Sequence, residues 1–334
     1  AIGRAGAGVN NIPVDRCTDE GIVVFNTPGA NANAVKESVI AGMLLAARDI
    51  HGGINYVDTI QNEGETIAKL VEQNKSRFKG FEIKGKRLGV IGLGAIGLMV
   101  ANAAVGLEME VEGYDPFLSV DRAWELSSSV KPAKTLDSLF ATADFISIHV
   151  PYTEKTKHFI NADAIKKIKR GAVLLNFSRD ALVDEKALLE ALDSGAIANY
   201  ITDFPNETVT GHPSVITIPH LGASTKEAED NCAIMVVDQV RDFLKSGTIK
   251  NSVNFPECKL ARTGDNRLTI MNRNQPNMIS QITNALAAEG VNITEMVNKS
   301  RGDLAYNIID FNGEAASDLT EKIKQIDGVI RARL

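Results

Sequence analysis

A histidine that follows a short apolar run is the residue in this sequence best suited to proton transfer. His220 lies between a proline and a leucine–glycine pair in VITIPHLGAST, where it has no packing role. Arg179 in NFSRD and Glu207 in DFPNE follow two other strand-like runs. Histidine titrates near neutral pH, a nearby carboxylate orients its ring, and arginine can hold a substrate carboxylate with two hydrogen bonds. The three residues predict hydride transfer at an alcohol carbon with His220 as acid and base, unless Arg179 and Glu207 form only a surface salt bridge.

A glycine-rich turn, VIGLGAIG, indicates where a dinucleotide would bind. Gly92, Gly94 and Gly97 have G-x-G-x-x-G spacing, follow a predicted strand and open a predicted helix, and Asp115 ends the next strand. Such glycines let the backbone approach a pyrophosphate at a helix N-terminus, while the carboxylate accepts hydrogen bonds from the ribose hydroxyls and repels a 2′-phosphate. The pattern predicts NAD as the cofactor in preference to NADP. The alternative is a structural glycine turn with an acidic residue there by chance.

The region from 85 to 223 alternates short β-rich runs with helical patterns. This alternation predicts an α/β fold of the Rossmann type, a doubly wound parallel sheet whose ligands lie outside the carboxyl ends of the strands. Five successive strand ends carry residues suited to a site: Asp115; His149 and Pro151; Ser178 and Arg179; Asp203 with Glu207; and His220. Among them, His149 is predicted to form a wall of the cofactor pocket.

The helices have recognisable boundaries and faces. In one, Asp184 is a predicted N-cap and Gly195 a predicted C-cap. A later helix, from 227 to 243, is predicted to turn Ile234, Val237 and the stretch from Val240 to Phe243 inward. Both helices belong to the pattern that would cover a parallel sheet.

Composition excludes several classes of protein. The 334 residues carry a net charge of −6 with scattered basic residues, which disfavours nucleic-acid binding. There is no long apolar run for a membrane span, and the three cysteines have neither metal-site nor disulfide spacing. A cytoplasmic location without a metal, membrane or nucleic-acid partner is expected.

The chain resembles the D-isomer-specific 2-hydroxyacid dehydrogenases along its whole length. GLGAIG followed by YDP is similar to the cofactor loop of that family, LNFSRDALVDEKAL to its arginine motif, TDFPNE to its glutamate motif and PHLGAST to its histidine motif. GRAGAGVNNI and NTPGANANAVKE are similar to its substrate-domain loops. The resemblance implies an NAD-dependent enzyme that oxidises 3-phospho-D-glycerate in the first step of L-serine biosynthesis. The alternatives are a hydroxypyruvate/glyoxylate or D-lactate-type dehydrogenase and, in another class, a non-catalytic NADH-sensing protein.

The resemblance also implies roles for individual residues, with Arg179, Glu207 and His220 as the catalytic set. The residues expected at the cofactor are Ala7, Gly92, Gly94, Ala95, Ile96, Gly97, Asp115, Val150, Pro151, Phe177, Ser178, Asp203, Leu221 and Gly222. Those expected at the substrate are Ala7, Gly8, Lys75 and Arg179. Lys75 belongs to the basic run NKSRFKG, which follows a helix expected at the dimer contact, so it could reach the neighbouring subunit's substrate phosphate; the alternative is a solvated basic loop.

The C-terminal part has a different pattern of predicted elements, with the β-α-β-β-α-β order typical of a ferredoxin-like unit. It resembles an ACT domain, a small-molecule regulatory module. Asn272, Asn274 and Asn292 occupy positions that bind an amino acid across a domain pair in serine-sensing versions, which implies L-serine as an effector. A purely structural pairing module is the alternative.

The predicted organisation has three domains. The boundaries are a substrate domain at 1–41 and 224–260, an NAD-binding domain at 42–223 and the ACT-like domain at 265–334. Family members begin with a further segment before the equivalent of Ala1, so an incomplete substrate domain is expected. A homodimer or homotetramer is also expected.

Overall fold

A computed structural model describes residues 1–314 and 316–334. The strands are β1 (Ile2–Gly3), β2 (Val24–Phe25), β3 (Arg87–Ile91), β4 (Glu110–Tyr114), β5 (Lys131–Pro132), β6 (Phe145–Ile148), β7 (Ala172–Asn176), β8 (Ile197–Thr202), β9 (Val215–Thr217), β10 (Asn266–Arg273), β11 (Asn292–Arg301), β12 (Leu304–Asn312) and β13 (Val329–Arg333). The α-helices are α1 (Val14–Asp19), α2 (Ala32–Arg48), α3 (Ile50–Thr59), α4 (Ile67–Asn74), α5 (Ala95–Gly106), α6 (Val120–Glu125), α7 (Leu136–Thr142), α8 (Ala162–Ile165), α9 (Glu185–Asp193), α10 (Lys226–Ser246), α11 (Met278–Ala288) and α12 (Leu319–Lys324).

The chain divides into two compact units. One is continuous, from Ala32 to Ala228, and contains the glycine turn and the predicted catalytic residues. The other combines Ala1–Asn31 with Glu229–Leu334. The three predicted domain boundaries stay a prediction.

The continuous unit is built on a seven-stranded parallel sheet in the order β5-β4-β3-β6-β7-β8-β9. The chain starts at β3, moves outward through β4 and β5, and then returns to the other side of β3 with β6. The direction of winding therefore reverses between β3 and β6, and ligands of doubly wound sheets bind at such a reversal. The predicted parallel sheet is confirmed, and β5 is a two-residue edge strand that the pattern did not indicate.

Both faces of this sheet are covered by helices. Successive residues of β3 and β6 enter opposite cores, so Phe145 and Ile146 pack into different clusters. One cluster includes residues of α2 and α5, and the other includes residues of α7 and α9. This two-sided burial explains why the strands are continuous apolar runs rather than alternating ones.

The helix α9 begins and ends as predicted. The Asp184 carboxylate accepts a hydrogen bond from the Ala187 amide at 3.2 Å, and Gly195 adopts a left-handed φ of +64° just after the helix. Leu188 and Leu192 are buried against the sheet. Each such side chain contributes about 1.5–3 kcal/mol of burial free energy.

The second unit contains a short parallel pair, β1 and β2, and most of α10. The helix α10 buries Val236, Gln239 and Phe243. The predicted inward position of Phe243 is confirmed, and Val240 packs against the same cluster. The prediction is wrong for Ile234 and Val237, because their side chains are 62% and 61% exposed. Apolar residues occupy several adjacent positions of α10, so the sequence pattern does not single out one stripe.

The C-terminal sheet is antiparallel, with the order β11-β12-β10-β13. Together with α11 and α12 it has the predicted β-α-β-β-α-β order. Its helix-covered face is an apolar cluster that includes Leu268, Ile282 and Phe311. Across residues 1–314 and 316–334, the helices are too short or too polar to span a lipid bilayer.

Candidate active site

The glycine turn joins the end of β3 to the start of α5 in a shape that larger residues would disturb. Gly92 has a φ of +87°, and a Cβ there would lie 2.6 Å from the His149 carbonyl oxygen. A Cβ on Gly97 would overlap the carbonyl oxygen of Gly92. Gly94, the N-cap of α5, has open space on its Cβ side. The turn thus needs two glycines for close packing and leaves the third open to a ligand at the helix N-terminus.

Asp115 is fixed beside this turn. Its Oδ2 accepts a hydrogen bond from the Leu93 amide at 2.9 Å, and its Oδ1 accepts one from the Phe117 amide at 2.8 Å. A carboxylate has about four acceptor positions, so two remain for ribose hydroxyls. The structure therefore places Asp115, the residue predicted to bind the ribose, next to the glycine turn predicted to bind the pyrophosphate.

The other predicted cofactor residues of this unit follow neighbouring strand ends or begin α5. Ala95 and Ile96 form the first turn of α5, and Val150 and Pro151 follow β6. Phe177 is buried after β7. The adjacent Ser178 hydroxyl donates to the Ile148 carbonyl at 2.8 Å, which ties the end of β7 to that of β6.

His149 packs against the glycine turn. Its Nε2 is 2.8 Å from the Ser147 hydroxyl, and its Nδ1 is shielded from solvent with no hydrogen-bond partner among the described residues. Burial lowers the pKa of His149 to about 3, so the ring is neutral at physiological pH. A permanently neutral ring suits the predicted wall and not proton transfer.

Phe204 contacts both the predicted catalytic arginine and the predicted catalytic histidine. The Arg179 guanidinium carbon is 5.9 Å from the centre of the Phe204 ring, and the His220 ring centre is 4.8 Å from it with the planes tilted by 47°. Arg179 also donates to the Ser178 carbonyl at 2.6 Å. An aromatic face attracts a guanidinium and packs against imidazole. Sequence reasoning missed Phe204, whose only signal is an aromatic residue directly after a strand-end aspartate.

The backbone holds His220 in an uncommon conformation. Its φ is +44°, and its amide donates to the carbonyls of both Asp203, at 3.0 Å, and Ile218, at 2.8 Å. A left-handed non-glycine residue costs free energy and is found mainly at functional sites. This tight turn exposes the His220 ring at the end of β9.

Asp203 is a buried carboxyl group that has one free oxygen. Its residue is 2% exposed, and Oδ2 accepts a hydrogen bond from the Gly222 amide at 3.2 Å. Oδ1 is buried and has no partner among the described residues. Burial raises the pKa of Asp203, while the Gly222 amide and the charge of His220 oppose that rise. An unpartnered acceptor next to His220, at the carboxyl edge of the same sheet, is available to a bound ligand.

Glu207 is exposed after β8. Among the residues described, the Glu207 carboxylate forms neither an ion pair nor a hydrogen bond with the His220 ring. Leu221, next to the histidine, is 50% exposed. The structure brings together Arg179, Asp203 and His220, and the orienting role of Glu207 stays a prediction.

The other predicted substrate residues are Ala7, Gly8 and Lys75. Ala7 and Gly8 belong to the unit that contains the N-terminus, where the Asn26 amide donates to the Ala7 carbonyl at 2.7 Å. Lys75 is exposed and forms an ion pair with Glu72 at 2.5 Å. The roles of these residues at the substrate stay predictions.

The three predicted effector asparagines are not adjacent in one copy of the chain. Asn272 is 1% exposed, accepts a hydrogen bond from the Asn307 amide at 2.8 Å and donates to the Arg273 carbonyl at 2.7 Å. Asn274 lies in the following loop, and Asn292 pairs with Asn312 at the opposite end of the sheet. Any site that uses both Asn274 and Asn292 therefore requires a second copy, and the effector roles stay predictions.

The fold and this edge define a dinucleotide-binding domain of the dehydrogenase type. Residues 40–222 match the profile of the D-isomer specific 2-hydroxyacid dehydrogenase, NAD binding domain. The chain belongs to the D-isomer specific 2-hydroxyacid dehydrogenase family. The predictions of the family and of NAD as the cofactor are thereby confirmed, and the predicted class of NAD-dependent dehydrogenase is that of the family.

Relatives along most of the chain share one name. The chain is 35% identical over 330 residues to D-3-phosphoglycerate dehydrogenase of Methanocaldococcus jannaschii, covering 97% of this chain and 57% of that protein. It is 33% identical over 349 residues to the Escherichia coli K12 protein of the same name, covering 100% of this chain and 81% of that one. The chain spans about half the length of several curated relatives it matches.

A solved structure agrees with these relatives. The NAD+-bound 3-phosphoglycerate dehydrogenase of Entamoeba histolytica superposes with a TM-score of 0.60 and 30% identity. The match covers 76% of this chain and 74% of that one.

Proposed function

We propose that this chain is an NAD-dependent D-2-hydroxyacid dehydrogenase that oxidises 3-phospho-D-glycerate to 3-phosphohydroxypyruvate. The observation that carries the proposal is the arrangement of Arg179, Phe204 and His220 beside the unpartnered carboxyl oxygen of Asp203. The shared name of the relatives supports the choice of substrate and a place in L-serine biosynthesis.

The side chains at the sheet edge can divide the chemistry between them. His220 accepts the proton of the substrate hydroxyl during oxidation and returns it during reduction of the ketone. Arg179 pairs with the substrate carboxylate, and Phe204 restricts the positions of both side chains from one side. Asp115, Asp203 and the glycine turn would hold NAD, which supplies the hydride acceptor when bound.

Two finer features are part of the same proposal. Lys75 of a neighbouring subunit would bind the substrate phosphate, for which it must leave its ion pair with Glu72. L-Serine would bind between two copies of the C-terminal sheet, which we propose to be an ACT domain, with Asn274 and Asn292 contributed by different copies. A ligand shared by two copies favours the arrangement it fits better, so serine would inhibit if that arrangement is the less active one.

The test is NADH oxidation with phosphohydroxypyruvate, hydroxypyruvate, glyoxylate and pyruvate as parallel substrates, each with and without serine. We expect the highest kcat/KM with phosphohydroxypyruvate, and inhibition by serine that Asn292→Ala abolishes. A higher kcat/KM with hydroxypyruvate, glyoxylate or pyruvate would replace the proposed substrate. NADH binding without turnover of any of the four would contradict the proposed enzyme and favour an NADH-sensing protein.

A further inference from the structure

A buried tyrosine lies close to the carboxyl edge of the parallel sheet. Tyr200 belongs to β8, and its ring is part of the apolar cluster that also contains Leu174 of β7. Its hydroxyl accepts a hydrogen bond from the Asn176 side-chain amide at 3.1 Å. Burial raises the pKa of Tyr200 to about 12, while interactions with the Thr202 and Asn176 side chains oppose that rise. Tyr200 therefore keeps a neutral hydroxyl between polar side chains of two neighbouring strands.

Asn176 ends β7 and holds the turn that follows it. Asn176 is buried, and its Oδ1 accepts a hydrogen bond from the Ser178 amide at 3.1 Å. Its Nδ2 donates to the Arg179 carbonyl at 2.8 Å and to the Tyr200 hydroxyl at 3.1 Å. An amide side chain has two donor hydrogens, and this geometry uses both. The Tyr200 hydroxyl thus occupies the second donor of the amide whose first donor holds the Arg179 backbone.

Thr202 ends β8 and has the same relation to the next turn. Thr202 is buried, and its hydroxyl oxygen accepts a hydrogen bond from the Phe204 amide at 3.1 Å. Asn176 and Thr202 are paired residues of β7 and β8, and Tyr200 interacts with both side chains. Short polar side chains at strand ends commonly stabilise the following turn by hydrogen bonds to its backbone. Tyr200 connects two such turns.

The two connected turns carry Arg179 and Phe204 to the candidate active site. The Arg179 guanidinium carbon lies 5.9 Å from the centre of the Phe204 ring, so the separation of the turns sets this contact. Arg179 is exposed, and its side chain depends on its backbone and on the aromatic ring for a fixed position. A displacement of about 1 Å at a substrate-binding group can lower a rate by about 10²-fold. Small shifts of either turn should therefore affect substrate binding.

We propose that Tyr200 is a positioning residue, whose hydroxyl holds the turns after β7 and β8 together and thereby places Arg179 against Phe204. The inference rests on the proposed function, in which Arg179 pairs with the substrate carboxylate. Because Tyr200 is buried, it acts through the two turns and not by contact with the substrate. A role in packing alone would need the ring of Tyr200 and not its hydroxyl, so the two roles can be separated by experiment.

The test is Tyr200→Phe, which removes the hydroxyl and keeps the ring in the apolar cluster. Kinetics are measured with whichever of the four 2-keto acids the wild type reduces with the highest kcat/KM, so the result does not depend on the proposed substrate. We expect kcat/KM to fall by about tenfold, mainly through a higher KM, with the NADH Kd within about twofold of wild type.

Tyr306→Phe is the matched control, because the buried Tyr306 hydroxyl donates to the Gly247 carbonyl at 2.8 Å in the other unit. Both variants lose one buried hydrogen bond, so both should lower the Tm by similar amounts. Only Tyr200→Phe should raise KM. Equal kinetics of the two variants would overturn the positioning role.

Two further measurements show whether the effect passes through Arg179. In an Arg179→Lys background, Tyr200→Phe should lower kcat/KM by less than about twofold, because the group it positions is already lost. Thr202→Val removes the acceptor of the Phe204 amide at similar volume, and Thr202→Ser keeps it, so serine should retain most of the kcat/KM that valine loses.

The outcomes separate this inference from the proposed function. If Arg179→Lys is impaired but Tyr200→Phe keeps the wild-type KM, or if the two losses multiply in the double variant, the inference alone is overturned. If Arg179→Lys has wild-type kinetics, or if the wild type reduces none of the four 2-keto acids, the proposed function is contradicted and the inference fails with it.

Discussion

The carboxyl edge of the parallel sheet and the interior of the C-terminal sheet both contain buried polar groups. The two regions differ in whether these groups have hydrogen-bond partners. In the C-terminal sheet, Arg267 donates two hydrogen bonds to Asp310, at 2.6 Å and 2.7 Å, and Asn307 donates to Asn272 at 2.8 Å. At the carboxyl edge, by contrast, Asp203 Oδ1 and His149 Nδ1 have no partner among the described residues.

This comparison distinguishes polar groups whose hydrogen bonds stabilise the fold from polar groups that remain available to a ligand. A buried ion pair or amide pair with all its partners fixes strand register and needs nothing further. A buried acceptor without a partner, next to a histidine held at a φ of +44°, carries a free-energy cost that a ligand can offset.

Breaking the ion pair of the C-terminal sheet should have the largest effect on stability. Burial raises the pKa of Asp310, but the hydrogen bonds from Arg267 outweigh it and hold that pKa below its ordinary value of 3.8. Arg267→Met leaves the buried Asp310 carboxylate without its positive partner and with hydrogen bonds only from Thr263, so we expect a loss of about 3–5 kcal/mol in unfolding free energy at pH 7. The exposed pair of Arg273 and Asp19 offers the control, since Arg273→Met should cost about 0–1 kcal/mol.

The pH dependence of that variant follows from the direction of the shift. A depressed folded-state pKa gives stability that is present above the unfolded-state pKa and is lost as pH falls through the folded-state value. The difference between wild type and Arg267→Met should therefore narrow as pH falls below about 4. Urea unfolding at several pH values measures it, and a difference independent of pH would contradict the assignment.

At the carboxyl edge, replacing an arginine should affect catalysis more than stability. Arg179→Lys keeps the charge but cannot form the proposed two-bond clamp on the substrate carboxylate, and it removes the guanidinium whose carbon lies 5.9 Å from the centre of the Phe204 ring. We expect kcat/KM to fall by about 10²-fold with an unchanged Tm. Arg170→Lys, an exposed arginine that donates to the Ser194 carbonyl, should leave both values unchanged. Steady-state kinetics with wild-type rates for Arg179→Lys would remove it from the site.

A smaller effect on kinetics is expected from replacing Asp115, the residue predicted to favour NAD over NADP. Asp115→Ser removes two acceptors and a negative charge next to the glycine turn. The preference for NAD over NADP should narrow by about tenfold, because ribose hydrogen bonds and phosphate repulsion are both lost. The measurement is kcat/KM for the two reduced cofactors, and an unmoved ratio would place the ribose elsewhere.

The smallest effect concerns Asp203. Its pKa is raised rather than lowered, so its effect on stability changes with pH in the opposite direction to that of Asp310. Its carboxylate costs stability as pH rises through the folded-state pKa, since the native state then binds the proton more tightly than the unfolded state. Asp203→Asn should therefore stabilise the unliganded chain by about 1 kcal/mol at pH 7 and weaken NADH binding. A variant that is less stable at pH 7 than the wild type would contradict this account.

Much of the parallel sheet and its edge could be predicted from local sequence. Apolar runs, a glycine turn and the Asp184 cap each depend on only a few neighbouring residues, so they can be recognised without knowledge of the fold. The order of polar residues at strand ends was enough to bring Arg179 and His220 to one edge. The glycine turn and Asp115 likewise predicted NAD as the cofactor, and the family resemblance added roles for individual residues.

The remainder depended on contacts between distant residues. Phe204 becomes important only because Arg179 and His220 pack on the same ring. Gln239 lies in an apolar-rich helix, and nothing in the sequence marks its amide as unpartnered. The exposure of Ile234 and Val237 likewise depends on how the chain packs around α10. Such features are fixed by tertiary packing rather than by periodicity.

The most direct test of the account is the turnover of His220→Gln measured beside its affinity for NADH. Glutamine keeps a polar side chain but cannot accept and return a proton, so kcat for phosphohydroxypyruvate reduction should fall by about 10²–10⁴-fold. The NADH dissociation constant, followed by fluorescence, should stay within about twofold, since the glycine turn and Asp115 are unchanged. His212→Gln, which alters a histidine paired with Asp193, should retain full turnover. Retention of about a tenth or more of wild-type turnover in His220→Gln would contradict the central claim.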